Sequence, residues 1–136
     1  MPNYFLAKTE PSTYSVDDLE REGQTVWSGV HAPAALKAIR EMKVGDMVFV
    51  YHSGGESKIV GLMKVITGPR VDPNDEKSWI VDVEFRLKYD EYVTLKEIKL
   101  SHKFDDWLLV RQGRLSTMHV PEKFVEWMKE KGFKVK

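Results

Sequence analysis

The chain has 136 residues, of which 42% are hydrophobic and 31% charged, and this composition is typical of a single globular domain spanning residues 1–136. It contains no cysteine, which excludes disulfides, thiolate nucleophiles and zinc sites with cysteine ligands. The 21 basic and 21 acidic residues give a formal net charge of zero. That balance argues against a protein that wraps long nucleic acid by charge alone, although it permits a module that binds one base.

Neither a secretory signal nor a membrane span is recognisable in the sequence. The first ten residues, MPNYFLAKTE, lack a basic region followed by an apolar stretch. No apolar run approaches the ~20 residues of a membrane-spanning helix. We therefore expect a cytoplasmic protein without membrane association, and we favour a monomer.

The first third of the chain is predicted to contain a strand and two helices. Residues 3–8 are short and apolar-rich, which favours a first strand. Ser15 is the predicted N-cap of a short helix that ends at Gly23, because serine caps and early acidic residues stabilise a helix start. Residues 26–30 are predicted as a loop or short strand. The alanines and the early proline of residues 32–42 favour a second helix.

The middle of the chain is rich in β-forming residues. Residues 47–52 and 59–66 are predicted strands, and Gly61 in the second marks a bulge or a close backbone approach. Residues 67–75 are predicted as a polar loop. Residues 79–87 alternate apolar and polar side chains, which is typical of a half-buried strand.

The last third is predicted to contain two more helices and a final strand. Thr94 caps a helix over residues 94–100, with Glu97 completing a capping box. Residues 118–120 favour a last strand, and Pro121 opens a helix whose inward residues are Phe124, Val125, Trp127 and Met128. Several short strands with short helices at their edges predict a small α+β barrel.

Two segments offer polar or aromatic groups near strand ends. Lys8 and Glu10 end the first strand, where ligand rims are common, but for these two residues alone we favour a solvated strand exit. Trp27 is followed by Ser28 and Gly29, so it can form a stacking platform with close backbone access. A tryptophan that fills the end of the barrel explains the same residues equally well.

Two further segments carry hydrogen-bonding side chains. Tyr51, His52 and Ser53 end an apolar strand, and the first two offer a flat face with a polar tip. The alternative is a core tyrosine beside a surface histidine. The segment 111–116, Arg-Gln-Gly-Arg-Leu-Ser, concentrates donors suited to phosphate and base edges, and we favour a functional role over a charged surface hairpin.

Signals for catalysis or metal binding are weak. The sequence contains no HExxH, GxxxxGK[ST] or GxSxG motif. Its four histidines are scattered without the spacing of metal ligands. A solvated loop explains the acidic cluster of Asp72, Asp75 and Glu76 better than a weak cation site does. We therefore predict no metal, no cofactor and no enzymatic activity.

Several motifs occur in an order that resembles the EVE domain family over nearly the whole chain. They are residues 4–11 (YFLAKTEP), 14–19 (YSVDDL), 27–30 (WSGV), 42–46 (MKVGD), 51–53 (YHS), 59–61 (IVG) and 110–116 (VRQGRLS). The resemblance implies a PUA-like fold, which is a mixed β-barrel flanked by short helices. It also implies a module that binds DNA or RNA by holding a modified base, such as methylated cytosine, in an aromatic-lined pocket.

Carried onto this sequence, the resemblance implies a set of ligand-binding residues. They are Trp27, Ser28, Val30, His31, Tyr51, His52, Ser53, Arg111, Gln112, Arg114, Leu115 and Ser116, with Lys8 and Glu10 as possible rim residues. One segment departs from the family pattern: residues 31–37 read His-Ala-Pro-Ala-Ala-Leu-Lys where most members resemble Arg-Asn-Tyr-Gln-Ala-Arg-Asn. Either the ligand differs here or His31 replaces the lost polar groups, so no specific base is carried over.

Two alternative functions compete with base binding. A small hydrolase of the ASCH type, acting on modified nucleosides, needs a lysine, a threonine and a glutamate together. Lys8, Thr9 and Glu10 supply those residue types, but neighbours on a strand alternate faces and cannot all converge. A ligand-free adaptor domain is the other alternative, and it predicts an exposed apolar patch and a plugged barrel end.

Overall fold

A computed structural model describes residues 2–136. The described residues form strands and short helices in mixed order. The strands are β1 (Tyr4–Thr9), β2 (Gln24–Trp27), β3 (Met47–His52), β4 (Lys58–Val65), β5 (Arg70–Asp72), β6 (Asp75–Thr94) and β7 (Thr117–His119). The helices are α1 (Val16–Glu22), α2 (Pro33–Arg40), α3 (Leu95–Ser101), α4 (Leu108–Arg111) and α5 (Glu122–Glu130).

The strands form one mixed sheet in the order β2-β6-β4-β3-β1-β7, with β5 paired to β6 beside this path. β1 runs parallel to β3, and the other pairs are antiparallel. The predicted α+β class is therefore confirmed. The hydrogen-bonded path is open, because β2 and β7 stand at its two ends and do not pair with each other.

The core is built from both faces of the central strands. Phe5, Leu6 and Ala7 of β1 are fully buried, and the five residues from Met47 to Tyr51 in β3 are buried as well. Helix α5 covers one side with the four inward residues that the sequence predicts. Phe124 lies 4.6 Å from Trp107 and 5.4 Å from Trp127 between ring centroids, so aromatic packing anchors this helix.

The helix starts follow the predicted capping residues. Ser15 Oγ accepts a hydrogen bond from the Asp18 N–H, and the Asp18 carboxylate accepts one from the Ser15 N–H, so α1 begins with a full capping box. Thr94 Oγ1 caps α3 through the Glu97 N–H at 3.0 Å. The Glu97 carboxylate forms an ion pair with Lys131 Nζ at 2.8 Å instead of accepting from the Thr94 N–H. Of the two hydrogen bonds of the predicted capping box of α3, only the one accepted by Thr94 Oγ1 is therefore present.

The structure departs from the predicted elements in three places. The predicted loop 67–75 contains β5, because Arg70 and Val71 pair with β6. Strand β6 has 20 residues and extends well beyond the predicted strand 79–87, since different parts of it pair with β5, β2 and β4. Helix α4 spans Leu108–Arg111, where the sequence predicts no helix or strand. No helix among residues 2–136 is long and apolar enough to cross a membrane.

Gly61 lies at a close approach between β4 and β6. A Cβ added there would lie 2.7 Å from the Leu87 carbonyl oxygen and 2.9 Å from Val16 Cγ2, and the β4–β6 register shifts between Ile59 and Gly61. Both readings of this glycine, a bulge and a close approach, are therefore confirmed. Because the nearest atom belongs to the backbone, it cannot move aside cheaply.

We expect Gly61→Ala to lower the free energy of unfolding by about 1–3 kcal/mol, the usual cost of overpacking a core. Chemical denaturation followed by circular dichroism measures this change. The matched control is Gly68→Ala, because an added Cβ at Gly68 meets no atom within 4 Å. Equal stability of the two variants would contradict the close approach.

The His52 side chain forms a hydrogen bond with the start of α1. Its Nε2 accepts a hydrogen bond from the Val16 N–H at 3.1 Å, and only the unprotonated nitrogen can accept. Burial lowers the pKa of His52, and Lys58 adds to this lowering while Asp17 opposes it. The neutral ring is thus favoured in the folded state. The neutral His52 ring therefore makes its full contribution to the free energy of unfolding above pH 6.5, the ordinary pKa of histidine. This contribution is lost as the pH falls from there through the lowered pKa of the folded state.

We expect wild-type protein to lose more unfolding free energy than His52→Gln between about pH 7.5 and about pH 5, because the variant has no ring to protonate. Urea denaturation at each pH measures the difference. The control is His102→Asn, an exposed histidine in left-handed backbone that asparagine also adopts. A His52→Gln profile that falls as steeply as that of the wild type would contradict the capping role.

Candidate functional site

A cavity of about 360 Å³ opens where the ends of β1 and β2 come together. One wall comes from β2 and the loop after it, and the other comes from β1 and the segment that leads into β7. The cavity therefore lies between β2 and β1, two strands that do not pair with each other. It is lined by Lys8, Thr9, Thr13, Tyr14, Thr25, Val26, Trp27, Ser28, Gly29, Val30 and Ser116.

Two aromatic rings form a corner of this cavity. The ring centroids of Tyr14 and Trp27 lie 6.3 Å apart, and the ring planes meet at 80°. A planar ligand that stacks on one ring therefore meets the other edge-on, which is a favourable aromatic geometry. The Tyr14 hydroxyl donates to Glu22 Oε1 at 2.6 Å. Burial, together with that bond, raises the pKa of Tyr14 to about 12, so the hydroxyl stays protonated at neutral pH.

The loop that follows Trp27 has a fixed backbone. Gly29 has a φ of 80°, which favours glycine, and it turns the chain after Ser28. The buried Ser78 hydroxyl donates to the Val30 carbonyl at 2.6 Å and ties the loop to β6. The exposed Ser28 thus lines the cavity from a loop that is tied to β6 at Val30.

Lys8 is the cationic residue in the cavity lining. Its Nζ donates to the Gly113 carbonyl at 2.7 Å and lies 5.3 Å from the centre of the Tyr51 ring. Its backbone N–H donates to the Ser116 carbonyl at 2.8 Å. Burial lowers the pKa of Lys8. This residue therefore joins β1 to the segment 111–116 through both its backbone and its side chain.

The structure brings some of the predicted binding residues together. Trp27, Ser28, Val30 and Ser116 line the cavity, and Lys8, predicted as a rim residue, lines it as well. Glu10 lies outside the lining, where its carbonyl accepts from the N–H groups of Thr13 and Tyr14 and its carboxylate accepts from Ser12.

The strand end formed by Tyr51, His52 and Ser53 does not reach the cavity. Tyr51 is 1% exposed and lies under the Lys8 ammonium. His52 faces α1, as described above. The Ser53 N–H donates to the Thr9 carbonyl at 3.0 Å. The core-tyrosine alternative from the sequence therefore matches the placement of Tyr51.

The segment 111–116 is the end of a helix followed by a turn, and it flanks the cavity. Arg111 ends α4, and the Gln112 N–H donates to the Leu108 carbonyl. Arg111, Gln112 and Arg114 are exposed, whereas Leu115 is buried in the core. Only Ser116 of this segment lines the cavity. Arg111 and Arg114 do not line the cavity, and the Lys8–Gly113 bond ties the residue between them to a lining side chain.

His31 lies outside the cavity lining and pairs with Asp75 at 3.0 Å. The departing segment that it begins runs into α2, where Ala34, Lys37 and Ala38 line a second concavity of about 530 Å³ between α2 and β7. The exchanged residues therefore line a different surface from the Tyr14–Trp27 corner.

Tyr14 is the main cavity residue that the sequence does not single out as a binding candidate. Its ring is placed by the Glu10–Tyr14 turn and by the capped start of α1 at Ser15. An aromatic residue at a helix entry, directly after a strand end with candidate rim residues, is the signal that could have identified it. Among residues 2–136, no three His, Asp or Glu side chains are grouped so that they could hold a metal ion.

The chain is similar in sequence and in structure to known proteins. Thymocyte nuclear protein 1 of Rattus norvegicus is 31% identical over 131 residues, covering 76% of this chain and 58% of that protein. The chain thus spans less than two thirds of this relative. The crystal structure of Atu2648 from Agrobacterium tumefaciens has a TM-score of 0.89 at 31% identity and covers 96% of this chain and 94% of that chain.

A structure of human THYN1 in complex with DNA containing 5-methylcytosine has a TM-score of 0.85 at 24% identity, covering 97% of this chain and 98% of that chain. This likeness supports the shared fold. The family profile described as the EVE domain matches residues 3–131. The chain therefore belongs to the EVE domain family, as the ordered motifs of its sequence predict.

Proposed function

We propose that this protein is a nucleic-acid-binding module that holds one modified nucleobase of DNA or RNA in the Tyr14–Trp27 cavity and does not act as an enzyme. The observation that carries the proposal is the perpendicular aromatic corner inside a cavity of about 360 Å³. A volume of this order suits a small planar ligand and is far too small for a duplex. The human THYN1 complex with 5-methylcytosine DNA supports this class of ligand.

A base enters such a cavity only after leaving its stack. The cost is a few kcal/mol in a duplex and is lowest for a single-stranded or mispaired base. Stacking of the base on an aromatic side chain contributes about 1–3 kcal/mol of favourable free energy and offsets part of this cost. Trp27 is 8% exposed, so packing holds most of its ring before a ligand arrives, and only the part that lines the cavity is open to a base. Holding the ring in place lowers the cost of ordering it on binding.

The exposed segment after α4 supplies contacts to the nucleic-acid backbone. Arg111 and Arg114 are exposed, and neither forms an ion pair within residues 2–136. An arginine guanidinium binds phosphate oxygens in a bidentate manner. Because the Lys8–Gly113 bond holds this segment beside the cavity, the phosphates next to a bound base fall within its reach.

The arrangement of Lys8, Thr9 and Glu10 argues against the hydrolase alternative. Lys8 and Thr9 line the cavity, but Glu10 does not. The Thr9 hydroxyl donates to the Tyr14 carbonyl at 2.8 Å and is thereby committed to the turn. Proton transfer needs the acid, the base and the nucleophile within hydrogen-bond reach of one reacting group. The open cavity likewise argues against the adaptor alternative, which requires a plugged barrel end.

We expect Trp27→Ala to weaken binding of a single-stranded oligonucleotide carrying one 5-methylcytosine by roughly 5- to 150-fold, the equivalent of one lost stacking contact. Fluorescence anisotropy at low salt measures the dissociation constant. Trp79→Ala is the matched control, because Trp79 is half-buried beside Arg40 and does not line the cavity. If both variants bind as the wild type does, the cavity is not the binding site.

We expect Arg111→Gln and Arg114→Gln each to reduce the salt dependence of the same binding reaction, with the slope of log K against log salt falling by about 0.7 per lost phosphate contact. The affinity should fall equally for modified and unmodified oligonucleotides, since phosphate contacts carry no base information. Arg86→Gln, at an exposed arginine of β6 that does not line the cavity, serves as control. Unchanged slopes for both variants would exclude this segment from the interface.

A further inference from the structure

The residues that line the cavity include one positively charged side chain and no negatively charged one. Lys8 contributes an ammonium group, while the remaining lining residues are hydroxyl-bearing, aromatic, aliphatic or glycine. No carboxylate and no histidine belong to the lining set described above. Glu22 touches the Tyr14 hydroxyl from outside the cavity, and Glu10 is turned toward Ser12. Lys8 is therefore the one charged residue of the lining set, and the nearby Glu22 carboxylate contacts the cavity only through the Tyr14 hydroxyl.

The Lys8 ammonium has donors left over. It carries three N–H groups, and the structure gives Nζ one hydrogen-bond acceptor within residues 2–136, the Gly113 carbonyl at 2.7 Å. Lys8 forms no ion pair within the same residues. The face of the Tyr51 ring, 5.3 Å from Nζ, attracts the cation but accepts no conventional hydrogen bond.

A half-buried ammonium with unused donors is stabilised by an oxygen acceptor and is opposed by a second cation. The lowered pKa of Lys8 reflects the same burial, and it shows that the charged form lacks full compensation in the free protein. A ligand oxygen placed near Nζ supplies that compensation. A positively charged ligand adds repulsion beside a half-buried ammonium, where charges interact more strongly than in bulk water.

We infer that Lys8 is a specificity-determining residue, and that the cavity selects bases presenting an oxygen acceptor, neutral or anionic, and rejects cationic methylated bases. The inference rests on the proposed function, because it assumes that a base occupies the Tyr14–Trp27 corner. It goes further by naming the chemistry of the base and the residue that recognises it. The alternative role for Lys8 is structural only: it anchors the turn at Gly113 and affects all ligands alike.

Three cytosine derivatives test this inference because they share a ring and differ in charge. Single-stranded oligonucleotides of one sequence carry 5-methylcytosine, which is neutral, 5-carboxylcytosine, which is anionic, or 3-methylcytosine, which is cationic at neutral pH. For the wild type we expect the carboxyl derivative to bind about tenfold or more tightly than the methyl derivative, as one charge-assisted hydrogen bond predicts. The cationic derivative should bind more weakly than both. Fluorescence anisotropy gives the three dissociation constants.

The variant Lys8→Met keeps the length and the apolar stem of the side chain while removing its charge and donors. We expect it to bind the three oligonucleotides with dissociation constants within about threefold of one another. Lys43→Met, at an exposed lysine outside the cavity, should retain the wild-type order. Thermal unfolding of each variant checks its fold, and Lys8→Gln serves in its place if Lys8→Met unfolds.

The possible outcomes separate this inference from the proposed function. Binding of all three oligonucleotides by the wild type without dependence on ligand charge would overturn the inference and leave the proposed function standing. An equal loss of affinity for all three in Lys8→Met, with the order preserved, would assign Lys8 the structural role and overturn the inference as well. No binding of any oligonucleotide by the wild type would overturn the proposed function, and the inference with it.

Discussion

The site depends on two strands that lie side by side at one cavity without pairing. β2 stands at one end of the hydrogen-bonded path and is separated from β1 by β6, β4 and β3, yet residues of both strands line the same cavity. Backbone pairing between β1 and β2 would place them about 4.8 Å apart and leave no space for a ligand. Side chains and the loop after β2 form the walls instead. β1, which pairs with β3 on one side and β7 on the other, carries Lys8 and Thr9 to the lining.

Much of the fold could be predicted because its signals are local. A serine followed by acidic residues begins α1, β-branched and aromatic runs form β3 and β4, and Gly61 marks a close approach of the β4 and β6 backbones. β5 and the full length of β6 could not be predicted in the same way. Both depend on pairing partners that lie elsewhere in the chain, and the loop 67–75 carries turn residues that conceal a short edge strand.

The candidate site was predictable at Trp27, Ser28, Val30 and Ser116, and less so elsewhere. The sequence shows which residues end a strand, but it does not show which side chains or backbone groups from other parts of the chain they contact. His52 meets the N–H of a helix residue 36 positions away, and His31 meets an aspartate 44 positions away. Neither contact is visible in the local pattern. The exchanged segment 31–37 predicts a change in the pocket, yet Ala34 and Lys37 line a separate concavity. None of the exchanged residues lines the cavity that holds the aromatic corner and Lys8.

The tryptophans are distributed in a way that separates two optical signals. Trp107 and Trp127 pack on Phe124 in the aromatic cluster beneath α5, so their emission reports on the integrity of the core. Trp27 stands apart from this cluster, against Tyr14 in the cavity. Trp79, the fourth tryptophan, is half-buried beside Arg40 and belongs to neither group. A base that stacks on Trp27 would therefore quench one indole of four, while the emission of the other three continues to depend on the fold. The unmodified chain thus carries its own reporter of cavity occupancy, which needs no added dye.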